Sequence, residues 1–353
     1  MESATSPPPS SNPILTEVVV AEIAEPDGLL LNHRPVPTPG AQEALVEVLA
    51  TGISFAEQAM IRGRYPGQPK FPFVLGYDLV GRVSDVGPGV DRRLVGQQVA
   101  AVTKTGGWTT HALVDARNLV PVPDDLDPAE VETLVVNGIT AWQMLHRKAG
   151  VQSGQTILVH GASGGVGSTL VQLAHHAGVH VIGTAAPRHH DALRALGAEP
   201  VDYHDPDLSG TLRRLAPGGV NAVFDHLGGS SFRRSFDLLA PRGTLVAYGT
   251  GAGAQLNDTN NQVLAFVAMF GRLAVWTLTS NRRALFYNFW AGKHIRPGRF
   301  RKHLAADLTE VVALLRNGTI TAQIAARFPL VDAVDAMRFV STQSVRGKVI
   351  LEP

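Results

Sequence analysis

The sequence predicts an α/β protein of two domains, a β-rich, barrel-like domain and a doubly wound parallel sheet. Three observations predict it. The length of 353 residues exceeds the roughly 100–200 residues of a single typical domain. From Thr16 to about Val122 short apolar runs such as EVVVAEI, EALVEVLATGI and QQVAAVT are punctuated by Pro and Gly, the pattern of strands and turns. After about Asn137, apolar strands alternate with longer helical segments, the pattern of a parallel sheet covered by helices.

In chain order, residues 1–13 (MESATSPPPSSNP) lack the basic and apolar regions of a signal peptide and read as a flexible tail. Residues 14–137 form the β-rich domain, with the helical text LDPAEVETLVVNGITAWQMLHRKAG spanning the boundary near Asn137. Residues 138–290 form the parallel-sheet domain, with strands expected at TILVH (156–160), HVIGTA (180–185), NAVFDHL (221–227) and GTLVAYG (243–249). Within 251–300 apolar, aromatic and basic residues mix without clean periodicity, so no element is assigned there. Residues 291–353 return to the first domain, with HLAADLTEVVALLRNGTI as a helix stopped at Asn317–Gly318 and GKVILEP as a last strand.

Composition excludes several function classes. Lys plus Arg number 31 against 30 Asp plus Glu, so no broad electrostatic attraction draws the chain to nucleic acid. No stretch reaches the roughly 18 to 20 apolar residues of a membrane span, because Gly271 and Arg272 interrupt Val263 to Leu278. The absence of cysteine removes disulfides, thiolate nucleophiles and every cysteine-containing zinc site. His175, His176 and His180 lie beside the nucleotide-type fold and read as surface histidines. A cytoplasmic protein is expected.

The sharpest local signal is TILVH-GASGGVG-STLVQLAHHAG, a strand, a glycine-dense turn and an amphipathic helix. Glycines allow backbone N–H groups to approach a pyrophosphate at the positive end of the helix, and Gly167 permits close helix–strand packing. Ser163, Gly164, Gly165, Val166 and Gly167 are therefore candidate dinucleotide contacts. A glycine-rich packing turn is the bland alternative. The letters Gly161 to Gly165 also satisfy the G-x-S-x-G nucleophile elbow of hydrolases, with Asp225 and His226 or His294 as partners, although the following Gly-Val-Gly has no role there.

About twenty residues past the first glycine, an NAD-binding fold carries an acid that holds the ribose hydroxyls. Here the second strand ends Gly183-Thr184-Ala185, with Arg188 close behind and Tyr203 after the next helix. A 2′-phosphate would meet a guanidinium and a hydroxyl, so Thr184, Arg188 and Tyr203 predict NADPH over NADH. A solvated helix-start residue is the alternative reading of Arg188.

The segment TGISFAEQAMIRGRYPGQPKFPFVLGYDLVGRVSDVGPGV, followed by NGITAW, HGASGGVG, DHLGG and the terminal GKVIL, resembles the zinc-independent quinone oxidoreductase-like branch of the medium-chain dehydrogenase/reductase superfamily. The resemblance runs over most of the chain. It implies a GroES-like β-barrel catalytic domain completed by the C-terminal segment, with a Rossmann nucleotide-binding domain inserted. It adds Thr140, Leu227 and Gly249 to the expected cofactor contacts, and it alone implies a homodimer.

Zinc-dependent members of that superfamily place a Cys and a His where this chain has Ser54 and Tyr77, so no metal site is expected. Without a metal, the accessible chemistry is hydride transfer from NADPH to a quinone or to the C=C bond of an α,β-unsaturated carbonyl. Tyr65, at the family's G-x-Y-P position, is the first catalytic candidate, as proton donor or as pocket lining, with aromatic packing beside Pro66 as the bland reading. Ser54 and Glu57 replace the family's common Asn and Asp. Ser54 is the second catalytic candidate; Glu57 and Tyr77 are expected to line the substrate pocket. Alternatives are an enoyl-thioester or polyketide enoyl reductase, and a non-enzymatic nucleotide-binding protein that associates with a partner or membrane surface. The aromatic and basic residues of 251–300, similar in character to the synaptic-vesicle branch, suit a pocket, a dimer interface, a membrane-surface patch or ordinary packing.

Overall fold

The computed structural model describes residues 13–249, 259–342 and 345–353. Of the expected tail all but Pro13 lies outside the described residues, as do 251–258 of the unassigned segment and 343–344 of the C-terminal return.

The longest strand, Glu43–Ile53, is the spine of the first domain. Ala44, Val46, Val48 and Ala50 alternate into the core from it, as a period of two requires. It pairs antiparallel with Asp78–Val86, with His111–Asp115 and with the C-terminal strand Lys348–Glu352. These belong to a seven-stranded sheet, and a three-stranded sheet holds Leu29–Pro35, Ile14–Val20 and Phe73–Val74. Trp108 joins the two sheets. Its carbonyl accepts from Val18 N at 2.9 Å and its indole donates to Gly52 O at 3.0 Å, satisfying a side chain that is completely buried. The GroES-like domain expected from the motifs is built from these two sheets.

The second domain is a six-stranded sheet, parallel throughout. Numbering its strands along the chain gives the spatial order 3-2-1-4-5-6, the doubly wound dinucleotide-binding order. The four strands read in the sequence occupy Thr156–Val159, His180–Ala185, Val220–Asp225 and Leu239–Ala247. Two others escaped that reading. Ala198–Asp202 carries Glu199 and Pro200, which break the apolar run, and it is an edge strand where Pro is tolerated. Arg283–Phe286, the opposite edge, follows the helix Thr259–Leu278, so the unassigned segment supplies a helix and the sixth strand.

The helix Pro297–Arg316 starts on Pro and ends at Asn317, with Gly318 in the left-handed region at φ +74°. Its Leu308, Val311, Val312 and Leu315 enter one core with Ile139 and the sheet residues Ile157 and Val159. Burying each such aliphatic side chain contributes roughly 1.5–3 kcal/mol. After this helix the strands Ile324–Pro329 and Lys348–Glu352 join the seven-stranded sheet, so the chain enters and leaves the parallel sheet beside the same domain.

Candidate active site

Ser54 caps the helix Phe55–Ile61 and makes a capping box with Glu57. Its hydroxyl accepts from Ala56 N at 3.1 Å and donates to Glu57 Oε2, which also takes Ser54 N at 2.9 Å. Glu57 is completely buried, and its Oε1 accepts Tyr77 N at 2.8 Å. The carboxylate therefore clamps Ser54 to Tyr77. Burial, reinforced by Asp78, pushes the Glu57 carboxyl above its ordinary range. The Ser54 hydroxyl, the second catalytic candidate, donates within this clamp.

The Tyr65 and Tyr77 hydroxyls lie 2.7 Å apart, and the Trp290 indole donates to the Tyr77 oxygen. Indole N–H is a donor only. Tyr77 thus accepts from Trp290, which leaves its own hydrogen available to Tyr65. Burial is the main influence on both hydroxyls and raises them, so both are protonated at neutral pH. The rings meet edge to face, at centroid distances of 6.1 Å for Tyr65 and Tyr77. Lys104 Nζ stands 5.6 Å from the Tyr65 centroid, and Lys293 Nζ 4.3 Å from that of Trp290.

The glycine turn opens with Gly161 at φ +64°. A Cβ on Gly167 would overlap the Gly161 carbonyl and lie 2.9 Å from Ala162 Cα, and one on Gly183 would lie 2.7 Å from Ala162 Cβ. Only glycine lets helix Gly165–His176 pack this closely on the strand. No side chain caps that helix, so its first N–H groups face outward at Gly165 and Val166, which are partly accessible. Thr184 turns inward. It is 1% exposed, and its hydroxyl lies 3.3 Å from Gly161 N and 3.2 Å from His160 Nδ1, so it braces the turn from behind. Ser163 is also buried; its carbonyl accepts Gly347 N at 3.0 Å, and Gly164 bridges Gly347.

Arg188 stands in the turn Pro187–His189, just past the strand His180–Ala185, and Tyr203 N reaches Ala185 O at 3.4 Å. The structure therefore brings both to the end of one strand. Leu227, 43% exposed, follows the strand Val220–Asp225, with its N–H bonded to Asp225 Oδ1 at 2.8 Å. Gly249 packs on the His226 backbone, where a Cβ would lie 2.7 Å from His226 O. Thr140 is buried near Tyr287, whose hydroxyl donates to Gln143 Oε1 at 3.0 Å. Asp225 Oδ2 accepts from Ser231 at 2.8 Å and Ser235 at 2.6 Å, and this cluster serves the sheet end rather than a Ser163 nucleophile.

One helix links the two centres. Val136 N donates to Asp78 Oδ2 at 3.0 Å, directly after Tyr77, while the next residue, Asn137, packs its amide where a Cβ of Gly165 would stand. Sequence reasoning missed Asn137 and Lys104, and it held Trp290 and Lys293 only among the aromatic and basic residues of 251–300. It also missed a buried ion triad: Lys348 Nζ lies 2.9 Å from Asp78 Oδ2 and 2.7 Å from Glu132 Oε1. A lysine opening the apolar strand KVILE was the available signal. Among the described residues no three His, Asp or Glu side chains gather as metal ligands do.

Two family models match parts of the chain: an alcohol dehydrogenase GroES-like domain over residues 40–124 and a zinc-binding dehydrogenase domain over 196–351. The human synaptic vesicle membrane protein VAT-1 homolog is 31% identical over 334 residues, 93% of this chain and 84% of that protein. The chain belongs to the medium-chain dehydrogenase/reductase superfamily, in its quinone oxidoreductase-like branch. The family expected from the motifs is thereby borne out. A Burkholderia 2-haloacrylate reductase is 29% identical over 350 residues, covering 95% of this chain and 98% of its own length. A mycobacterial protein solved in complex with NADPH superposes with a TM-score of 0.81 at 28% identity, over 96% of this chain and all of its own. This chain is an oxidoreductase of that superfamily, and no helix among its described residues is long and apolar enough to cross a membrane.

Proposed function

We propose that this protein is an NADPH-dependent, zinc-free reductase that transfers hydride to a quinone or to the C=C bond of an α,β-unsaturated carbonyl. The observation that carries this reading is the Trp290–Tyr77–Tyr65 hydrogen-bond chain, joined through Val136 and Asn137 to the uncapped helix at Gly165. The NADPH-bound relative and the 2-haloacrylate reductase support it.

The residues fit the cofactor. A Cβ would fill the cradle at Gly167, the helix N-terminus offers uncapped N–H groups to a pyrophosphate, and Arg188 with Tyr203 stands where the 2′-phosphate lies in this fold. Gly164 to Gly167 would line the pyrophosphate, with Thr184 bracing the turn and Ser163 tying it to Gly347, while Thr140 on the helix that carries Asn137, Leu227 and Gly249 complete the expected set. Bound NADPH supplies a hydride, and with it two electrons.

As hydride adds to the β-carbon, the C=C electron pair shifts and negative charge develops on the carbonyl oxygen. Trp290 donates to Tyr77, Tyr77 to Tyr65, and Tyr65 to that oxygen. Uptake of a solvent proton at the α-carbon balances the reaction. With a quinone, hydride adds at one oxygen, negative charge develops on the other, and a solvent proton taken up there completes the hydroquinone. Ser54 and Glu57 act by holding Tyr77 in place.

A cytoplasmic homodimer belongs to the same reading. The edge strand Arg283–Phe286 and the exposed Val267, Phe270, Val275 and Leu278 on the helix beside it support a second copy at that edge. Light scattering after gel filtration reads the mass.

The deciding experiment follows NADPH consumption by purified protein with ortho- and para-quinones, enals, enones and enoyl thioesters, with NADH and EDTA controls. Turnover of one class that survives EDTA is expected and names the acceptor. NADPH binding without turnover of any class overturns the reductase reading in favour of a nucleotide-binding partner protein.

A further inference from the structure

The hydroxyl chain carries an unbalanced charge on both flanks. Lys104 adopts φ +72°, a region that costs a side-chain-bearing residue strain. That conformation is held by the active-site backbone itself, since Thr103 N and Lys104 N both donate to Tyr77 O, at 2.9 and 3.0 Å. Its Nζ donates to Gly67 O at 2.9 Å, which draws the ammonium across the Tyr65 ring. Lys293 lies over Trp290, with its own N–H bonded to Trp290 O at 3.1 Å.

Among the described residues neither ammonium has a carboxylate within the 4.0 Å of an ion pair. The carboxyl beneath Tyr77, Glu57, is taken up by Ser54 and Tyr77 N. Burial, and then Lys104, lowers Lys293 below the ordinary lysine range, so the two cations repel and one is partly desolvated. An unpaired pair of cations beside a hydroxyl donor is stabilised when an anion enters between them. Lys293 and Trp290 also wall a neighbouring cleft in which the cations Arg117 and Arg301 stand beside the apolar Val102, Ile139, Leu304 and Leu308.

We propose that Lys104 and Lys293 are an anion-recognition pair, and that the acceptor is an α,β-unsaturated carbonyl compound bearing a carboxylate. The inference rests on the reductase reading and names its substrate class. Tyr65 meets the carbonyl oxygen at which charge develops, while the two ammoniums hold the carboxylate and turn the β-carbon toward the nicotinamide. The lysines are specificity residues that leave the electron balance of hydride transfer as written above.

The test compares trans-3-benzoylacrylate with its methyl ester, and a naphthoquinone sulfonate with the parent naphthoquinone, in full-length protein and in Lys104→Gln, Lys293→Gln and the double variant. The expected result is a kcat/KM for benzoylacrylate at least about tenfold above its ester, a ratio that falls with the loss of either lysine, approaches unity in the double variant and shrinks with added salt. Equal kcat/KM for acid and ester in the unaltered protein overturns the anion proposal and leaves the reductase reading intact. A rise in the KM for NADPH with no change in the acid-to-ester ratio also overturns it, assigning the lysines to the cofactor. A preference confined to the sulfonate overturns the carboxylate assignment. Absence of turnover with all four acceptors, together with none in the wider panel, overturns both readings. Circular dichroism and NADPH affinity of each variant separate misfolding from lost recognition.

Discussion

The hydroxyl of Tyr65 lies 2.7 Å from that of Tyr77, and Tyr77 in turn accepts the indole N–H of Trp290, a residue 213 positions away along the chain. This pairing gives Tyr65 a neighbour that can donate to it, so its own hydrogen is free for a reacting oxygen.

Replacing Tyr65 by Phe removes that donor. The expected outcome is a fall in kcat of about 100-fold with little loss of stability, read by steady-state kinetics beside urea unfolding. Tyr77→Phe leaves the half-buried indole N–H unpaired and costs stability too, about 1 kcal/mol. Equal kinetic and stability effects in the two variants would count against the directional chain.

Gly167→Ala sets a methyl group against the Gly161 carbonyl, on a turn that cannot retreat because Thr184 braces it. NADPH affinity should fall more than about tenfold, with about 1–3 kcal/mol of stability lost, as read by fluorescence titration and denaturant unfolding.

Arg188→Ala should weaken NADPH by about tenfold while changing NADH affinity little, since the loss is a charge-assisted contact with the 2′-phosphate. Parallel titration of the two nucleotides decides it, and an equal loss for both refutes the assignment.

Lys348→Met strands Asp78 and Glu132 as buried carboxylates with no cation between them. Loss of one partner from such a site costs about 3–5 kcal/mol. The double variant Lys348→Met with Asp78→Asn should recover part of that loss in chemical denaturation, because Glu132 is already pushed well above its ordinary range by burial and then by Asp78.

Burial holds His160 below its ordinary value of 6.5, so the folded protein keeps it neutral. A folded pKa below the unfolded one contributes stability that is present above about pH 6.5 and lost as pH falls toward the folded value. The stability difference between the parent and His160→Gln should therefore be flat at neutral pH and shrink on acidification. A difference independent of pH would remove His160 as a titrating group.

The sequence by itself determined the fold and the nucleotide turn, because both depend on local signals. Strand, glycine turn and helix are contiguous at Thr156–His176, and close packing at Gly167 can be satisfied by one residue type. The lack of cysteine likewise settled at once that no thiolate ligand exists. Only the tertiary structure decided which side chains share the reaction space. Ser54 looked available as a donor, yet its capping partner Glu57 lies one helical turn away and claims it. Trp290 and Lys293 come from a segment without periodicity, since Trp290 is placed by packing against Tyr77 and Lys293 by lying over Trp290, rather than by backbone hydrogen bonding along a regular element. Lys348 finds Asp78 270 residues away and Glu132 216 away, because the C-terminal strand closes the sheet that the N-terminal segment opened. Contacts of that span leave no periodic trace in the chain, and they are the ones that set the chemistry.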